Sequence, residues 1–243
     1  MALREACASQ YDGSSWHHEG LNHPMREILL LNPNTSEDTT AMMLAIARAS
    51  APAGYAVRGA TAARGVPMIV DAAALNAAGG EVLASWRRHG GDAAGVVISA
   101  FGDPGIEALQ DLIDVPVVGI CESSMREAAH GGRRFGVATV TPELVGPIDA
   151  RAHALGLGAR YTGVRLTPGD PEALTADPAR LEAALAQAVS ECITLDGAQA
   201  VIIGGGPLGQ AAIALAGQFD VPIIAPIPAA MRRLASLLAE TVR

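Results

Sequence analysis

The feature that most constrains this chain is that it repeats itself. Asp114-Val115-Pro116-Val117-Val118 returns as Asp220-Val221-Pro222-Ile223-Ile224, 106 residues later, and Met125-Arg126 returns as Met231-Arg232 at the same spacing. Such internal symmetry means two similar half-domains. Within each half, short apolar runs alternate with amphipathic stretches, the pattern of a parallel sheet with helical crossovers. The expected fold class is therefore α/β, built as two pseudo-symmetric parallel-sheet halves. Ligands of open α/β sheets sit at the carboxyl ends of the strands, so mirrored halves put a cleft where those ends face each other.

Along the chain, residues 28–31 read as the first buried strand. Asn32-Pro33-Asn34-Thr35-Ser36 is the loop after it, with Thr35 or Ser36 capping a helix that buries Met42, Met43 and Ile46. A weaker strand at 55–61 and a helix carrying Val82, Leu83 and Trp86 lead to a strand at 95–99. The loop Ala100-Phe101-Gly102-Asp103-Pro104-Gly105 follows, and Asp103-Pro104 reads as N-cap and first residue of the next helix. A strand at 115–120 ends in Cys121-Glu122-Ser123-Ser124. The second half restates this plan with strands at 135–139, 161–166 and 200–203. Its first helix is capped by Thr141-Pro142-Glu143, and another buries Leu181, Leu185, Val189 and Cys192. The strand at 200–203 runs into Gly204-Gly205-Gly206-Pro207-Leu208, the counterpart of the 100–105 loop. The expected division is a first half at 26–123, completed by a C-terminal helix at 227–240, and a second half at 124–226. By this geometry the loops at 32–36, 100–105, 139–142 and 204–208 converge.

Composition narrows the function. A chain of 243 residues, half of them hydrophobic, can bury a sizeable core, and its net charge of −8 argues against nucleic acid or an anionic membrane as partner. No apolar run approaches the length of a membrane span. Residues 1–25 lack periodicity and the apolar segment of a secretion signal, so they read as a disordered leader. His17, His18 and His23 in that stretch have no third ligand beside them, and no metal site is expected. The three cysteines, Cys7, Cys121 and Cys192, share no metal-binding spacing and fit a reducing cytoplasm. What remains is small-molecule work, with a homo-oligomer open as the assembly.

Several side chains at the converging loops suit a carboxylate or amide guest. Asn32, Asn34, Thr35 and Ser36 offer short polar groups, and capping alone explains Ser36 but not both asparagines. Thr139 and Val140 end a strand opposite them. Thr139 either bonds a substrate carboxylate or closes a local turn. Backbone N–H groups at Phe101, Gly102, Gly205 and Gly206 add donors. Cys121 and Glu122 stand at a strand end beside the expected cleft. Cys121 is either a small buried filler or a nucleophile, and Glu122 either binds substrate or caps the helix after it.

Asn32-Pro33-Asn34-Thr35-Ser36, Phe101-Gly102-Asp103-Pro104-Gly105, Glu122 and the glycine-rich strand end at 204–206 together resemble the aspartate/glutamate/hydantoin racemase superfamily, closest to its hydantoin and allantoin racemase branch. The resemblance covers residues 27–240. It implies cofactor-independent racemisation of a small amino-acid derivative or cyclic ureide held between two α/β halves. One cysteine per half would act on opposite faces of the α-carbon. The two cysteine positions fall on Ala100 and Gly205, neither of which accepts a proton, so the two-thiol mechanism is closed to this chain. Cys121 and Glu122 are then the candidate proton-handling groups. The alternatives are a catalytically inert small-molecule-binding relative, or a decarboxylase or hydrolase using the same cleft.

Overall fold

The computed structural model describes residues 25–241. The expected leader, with Cys7 and its histidines, lies outside the described residues apart from Met25.

In the first half, β1 (Arg26–Asn32), β2 (Tyr55–Thr61), β3 (Gly95–Ile98) and β4 (Val117–Gly119) form a parallel sheet in the order β2-β1-β3-β4. Helices α1 (Glu37–Ala49), α2 (Ala72–His89) and α3 (Ile106–Gln110) make the crossovers, and α4 (Ile120–Ala128) follows β4. Both faces of β1 are covered, which is why Ile28, Leu29, Leu30 and Leu31 form an unbroken apolar run with no exposed surface.

The second half has the same topology. β5 (Phe135–Thr139), β6 (Tyr161–Leu166), β7 (Ala200–Ile203) and β8 (Ile223–Ile224) are parallel in the order β6-β5-β7-β8. The helices are α5 (Val145–Ala154), α6 (Pro171–Thr175), α7 (Pro178–Thr194), α8 (Gly209–Leu215) and α9 (Pro226–Thr241). The repeated sequence is thus the last strand and last helix of each half.

Those last helices are exchanged between the halves. α4 follows β4 yet packs against β7, β8 and α5, while α9 follows β8 yet packs against β3, β4 and α1, and the two helices pack on each other. Leu234 of α9 lies so close to β3 that a Cβ on Gly95 would meet its Cδ1 at 2.9 Å. Met125 and Met231, one repeat apart, are both fully buried. A single apolar cluster joins the halves through Leu30, Val97, Met125, Phe135, Met231 and Leu234.

Three local expectations need correction. β4 stops at Gly119, so Cys121 and Glu122 lie in the first turn of α4 and not at a strand end. Asp103 does not cap the helix that follows it. Gly105 holds that N-cap, in a left-handed conformation, and the Asp103 carboxylate reaches instead to the start of α4. Thr141-Pro142-Glu143 opens a single 3-10 turn, Pro142–Leu144, with no side-chain cap, and α5 begins at Val145. Ser36 does cap α1, accepting the Thr39 N–H at 3.1 Å.

Candidate active site

The β1–α1 loop is held by its own amides. Asn32 Nδ2 donates to Asn34 Oδ1 at 2.8 Å, to Thr40 Oγ1 at 2.9 Å and to the Ser36 carbonyl at 3.2 Å. Asn32 Oδ1 accepts the Asn34 N–H at 3.1 Å, and Asn34 Oδ1 accepts the Ser36 N–H at 2.9 Å. Asn34 Oδ1 is therefore engaged from two sides, while its Nδ2 has no hydrogen-bond partner among the described residues. Asn34 lines the cavity; Asn32, Thr35 and Ser36 do not. The Thr35 N–H instead holds the Val66 carbonyl at 3.0 Å, tying the segment that carries Met68 and Ile69 over the cleft.

The cavity lies between the strand ends of the two sheets and encloses about 550 Å³ counted out to its mouth. That space includes open solvent; the room for the centre of a water-sized molecule is about 50 Å³, so the cleft is narrow. Ala100 and Phe101 line it from the first half, Thr139, Val140, Gly205 and Gly206 from the second. Gly102 does not. Its φ of 127° is a glycine conformation, and a Cβ there would strike Leu75. Its N–H faces the Cys121 sulfur.

The three successive glycines differ in what they tolerate. A Cβ at Gly204 would lie 2.6 Å from Val137 Cγ1, and one at Gly206 would lie 2.7 Å from Met43 Sδ and 2.9 Å from the Ser99 carbonyl. At Gly205 the nearest atoms are Leu208 Cδ1 and Cγ at 3.0 Å, a flexible side chain that can give way. Gly205 is thus the member of the trio with room for a side chain, and it faces the same hollow as Ala100.

Polar groups at the cavity are few. The Ser99 hydroxyl donates to the Leu31 carbonyl at 2.9 Å and the Thr139 hydroxyl to the Gly204 carbonyl at 2.6 Å, so both fix the loops. Thr141, missed in the sequence apart from its role near a helix start, lines the cavity 3.3 Å from Thr139 Oγ1. The Gly205 N–H is held by the Ile203 carbonyl at 3.2 Å, whereas those of Phe101 and Gly206 have no partner among the described residues. The remaining walls are apolar: Met68, Ile69, Leu75, Leu144, Ile148 and Leu208. No Asp, Glu, His, Cys, Tyr, Lys or Arg is among the lining residues. Among the described residues, no group of three His, Cys, Asp or Glu side chains is placed to hold a metal.

Cys121 and Glu122 sit behind this wall. Cys121 is fully buried in the core, where burial and the neighbouring Asp103 carboxylate push its thiol well above the ordinary range. A thiol kept neutral and walled off is not a base for a guest in the cavity. Glu122 is engaged by Arg151 and Arg233, each at 3.4 Å. Asp103 joins this group. Its oxygens accept the N–H of Cys121 at 2.8 Å and of Glu122 at 2.7 Å, with Arg151 Nε at 3.3 Å, and burial pushes its carboxyl up to about 7. Arg151 is a functional candidate that a lone arginine in a helical pattern does not advertise. Cys192 is core packing, its thiol pushed up to about 12 by burial.

The Asp/Glu/Hydantoin racemase family model matches residues 28–234. A hydantoin racemase of Paenarthrobacter aurescens is 28% identical over 217 residues, 87% of this chain and 91% of that protein. A hydantoin racemase of Rhizobium meliloti is 31% identical over 214 residues, 87% of this chain and 88% of that protein. Among solved structures, the allantoin racemase of Pseudomonas fluorescens superimposes with a TM-score of 0.84 at 26% identity, covering 88% of this chain and 92% of that one.

Proposed function

The chain belongs to the Asp/Glu/hydantoin racemase family, and from that premise we propose that it is a racemase-type enzyme for a neutral cyclic ureide of the hydantoin kind carrying an apolar substituent. It moves the α-carbon proton without thiols and without an organic cofactor. What supports this most is the pairing of Ala100 and Gly205 on one cavity. These are the positions that the family resemblance gives to the two proton-transferring groups, so the frame for two-sided attack persists while its side chains are inert.

The lining favours a neutral ring. A free carboxylate there would lose its water without meeting a cation, which is costly. Ring carbonyls and amides find Asn34 Nδ2, the Thr141 hydroxyl and the N–H groups of Phe101 and Gly206. The substituent packs on Met68, Ile69, Leu75, Leu144 and Ile148. Loss of the proton beside a ring carbonyl gives an enolate, whose oxygen those fixed donors stabilise. Water or hydroxide takes the proton, and return from either face gives the racemate. Enzymes stripped of an acid–base residue still retain on the order of 10³–10⁴-fold over water from such donors and binding. Turnover at a reduced rate is therefore consistent with an inert pair at 100 and 205.

Enantiopure 5-isopropylhydantoin in deuterated buffer tests this, with exchange of the ring C–H followed by NMR and rotation by polarimetry. Exchange above the uncatalysed rate, in proportion to protein, is the expected result. The A100C/G205C double variant should raise it by about 10²–10⁴-fold, the range of positioned acid–base groups. A product of changed mass would indicate ring opening or decarboxylation instead. A second reading, binding without turnover, is favoured by the lack of any titratable lining residue; binding by calorimetry with exchange at the uncatalysed rate would select it.

A further inference from the structure

The cleft wall is held from behind by charges that the proposed chemistry does not use. Arg151 stands on α5 one turn beyond Ile148, which faces the cavity, and reaches across to the other half. Its Nε lies 3.3 Å from Asp103 Oδ2, its Nη2 lies 3.4 Å from Glu122 Oε2, and its Nη1 donates to Glu107. Three acids from three segments of the first half, the β3–α3 loop, α3 and α4, converge on one guanidinium of the second. Arg233 of α9 completes the group, 3.4 Å from Glu122 Oε1.

An exposed pair of this kind would contribute little. Here the Arg151 side chain is 13% exposed and that of Asp103 is 0% exposed, so water screens them poorly. Without Arg151, Glu122 would keep only Arg233 at the edge and Asp103 would have no cation beside it among the described residues. Asp103 is also the described non-glycine residue with a positive φ, 52°, a conformation kept only where surroundings impose it. Its oxygens are pinned to the start of α4, so the loop that carries Ala100 and Phe101 is anchored through it.

The geometry points to Arg151 as a positioning residue for the cleft: through Asp103 it sets the Ala100–Phe101 wall against the Leu144–Ile148 wall, and with it the grip on the guest. The consequence for substrate rests on the functional reading above; the consequence for the loop does not.

The test uses the full chain with R151M and R151K. Hydrogen exchange is followed in residues 99–106 against residues 178–194 of α7 as internal reference, and 5-isopropylhydantoin affinity is measured by calorimetry. R151M should speed exchange in 99–106 by about 10-fold relative to α7 and weaken binding by about 10-fold or more. R151K should restore part of both, because it keeps the charge on Asp103 and gives up the fork. Exchange in 99–106 that is unchanged, or that rises equally in α7, overturns the inference. A rise confined to 99–106 with no hydantoin binding by the native chain upholds it and removes the functional reading instead. If R151M does not fold, E107Q, which loosens only the exposed arm, should give a smaller rise of about 2-fold confined to 99–106; its absence overturns the inference.

Discussion

Asp103 Oδ1 accepts the backbone N–H of Cys121 at 2.8 Å, so a residue three positions beyond Ala100 closes the first turn of a helix that begins in a later strand–helix unit. Replacing Asp103 by Ala would leave two buried N–H groups without an acceptor and take from Arg151 the most deeply buried of its three acids. We expect D103A to lose about 3–5 kcal/mol of stability and D103N about 1–3 kcal/mol, measured by urea unfolding. Gly119→Ala should fail comparably, because its Cβ would overlap the same carboxylate.

The same carboxyl makes stability depend on pH in an unusual sense. Burial raises it from 3.8 to about 7 in the folded chain, against the pull of Arg151 and the two N–H groups. A group raised on folding contributes most below its unfolded value and loses that contribution as pH rises through the folded one. The stability difference between wild type and D103N should therefore fall between about pH 4 and 7 and level off above. Glu107 and Asp196, which arginines hold below the usual carboxylate range, act in the opposite direction; the D103N comparison cancels Asp196, while Glu107 shares Arg151 with Asp103 and is removed by making the comparison in an E107Q background. A difference that is flat, or that rises over this window, would refute the assignment.

The glycine trio should respond unequally to alanine. G205A needs only Leu208 to move and should cost under about 1 kcal/mol, while G204A and G206A press on Val137, Met43 and the Ser99 carbonyl and should cost about 1–3 kcal/mol or more. Thermal unfolding of the three variants in parallel checks the order.

Cys121 and Cys192 should resist alkylation in the folded protein. Both are fully buried and both thiols are pushed upward, so the reactive thiolate is scarce and shielded. Peptide mapping after iodoacetamide treatment should find them labelled only once the chain is unfolded.

The alternation of strands and helices in each half is legible in the chain because buried parallel strands leave compact apolar runs, such as 28–31 and 200–203, punctuated by glycine and proline. The cleft is legible for a related reason: the repeat implies mirrored strand ends, and Asn34, Ala100, Phe101, Thr139, Val140, Gly205 and Gly206 do share one cavity. What stays hidden depends on contacts between distant segments. Asp103 before a proline looks like a cap for its own helix, and nothing local reveals that the N–H groups it serves lie 18 and 19 residues away. Cys121 looks like a strand-end thiol because Val115 to Ile120 is uniformly apolar, whereas the helix starts early on the strength of that remote carboxylate. Arg151 carries no pattern at all, and only the facing of the two halves makes it a neighbour of the cleft; Thr141, within the converging 139–142 loop, is legible only as a helix start.

The exchange of α4 and α9 has a temporal side. β3 and β4 are made early, but the helix that covers them spans Pro226–Thr241. During synthesis the earlier sheet therefore carries a bare apolar flank until the later one has been built, an interval in which such a surface invites chaperones or self-association. Neither lobe can mature alone, and a break in the connection between them would deprive both of a lid rather than release two working pieces.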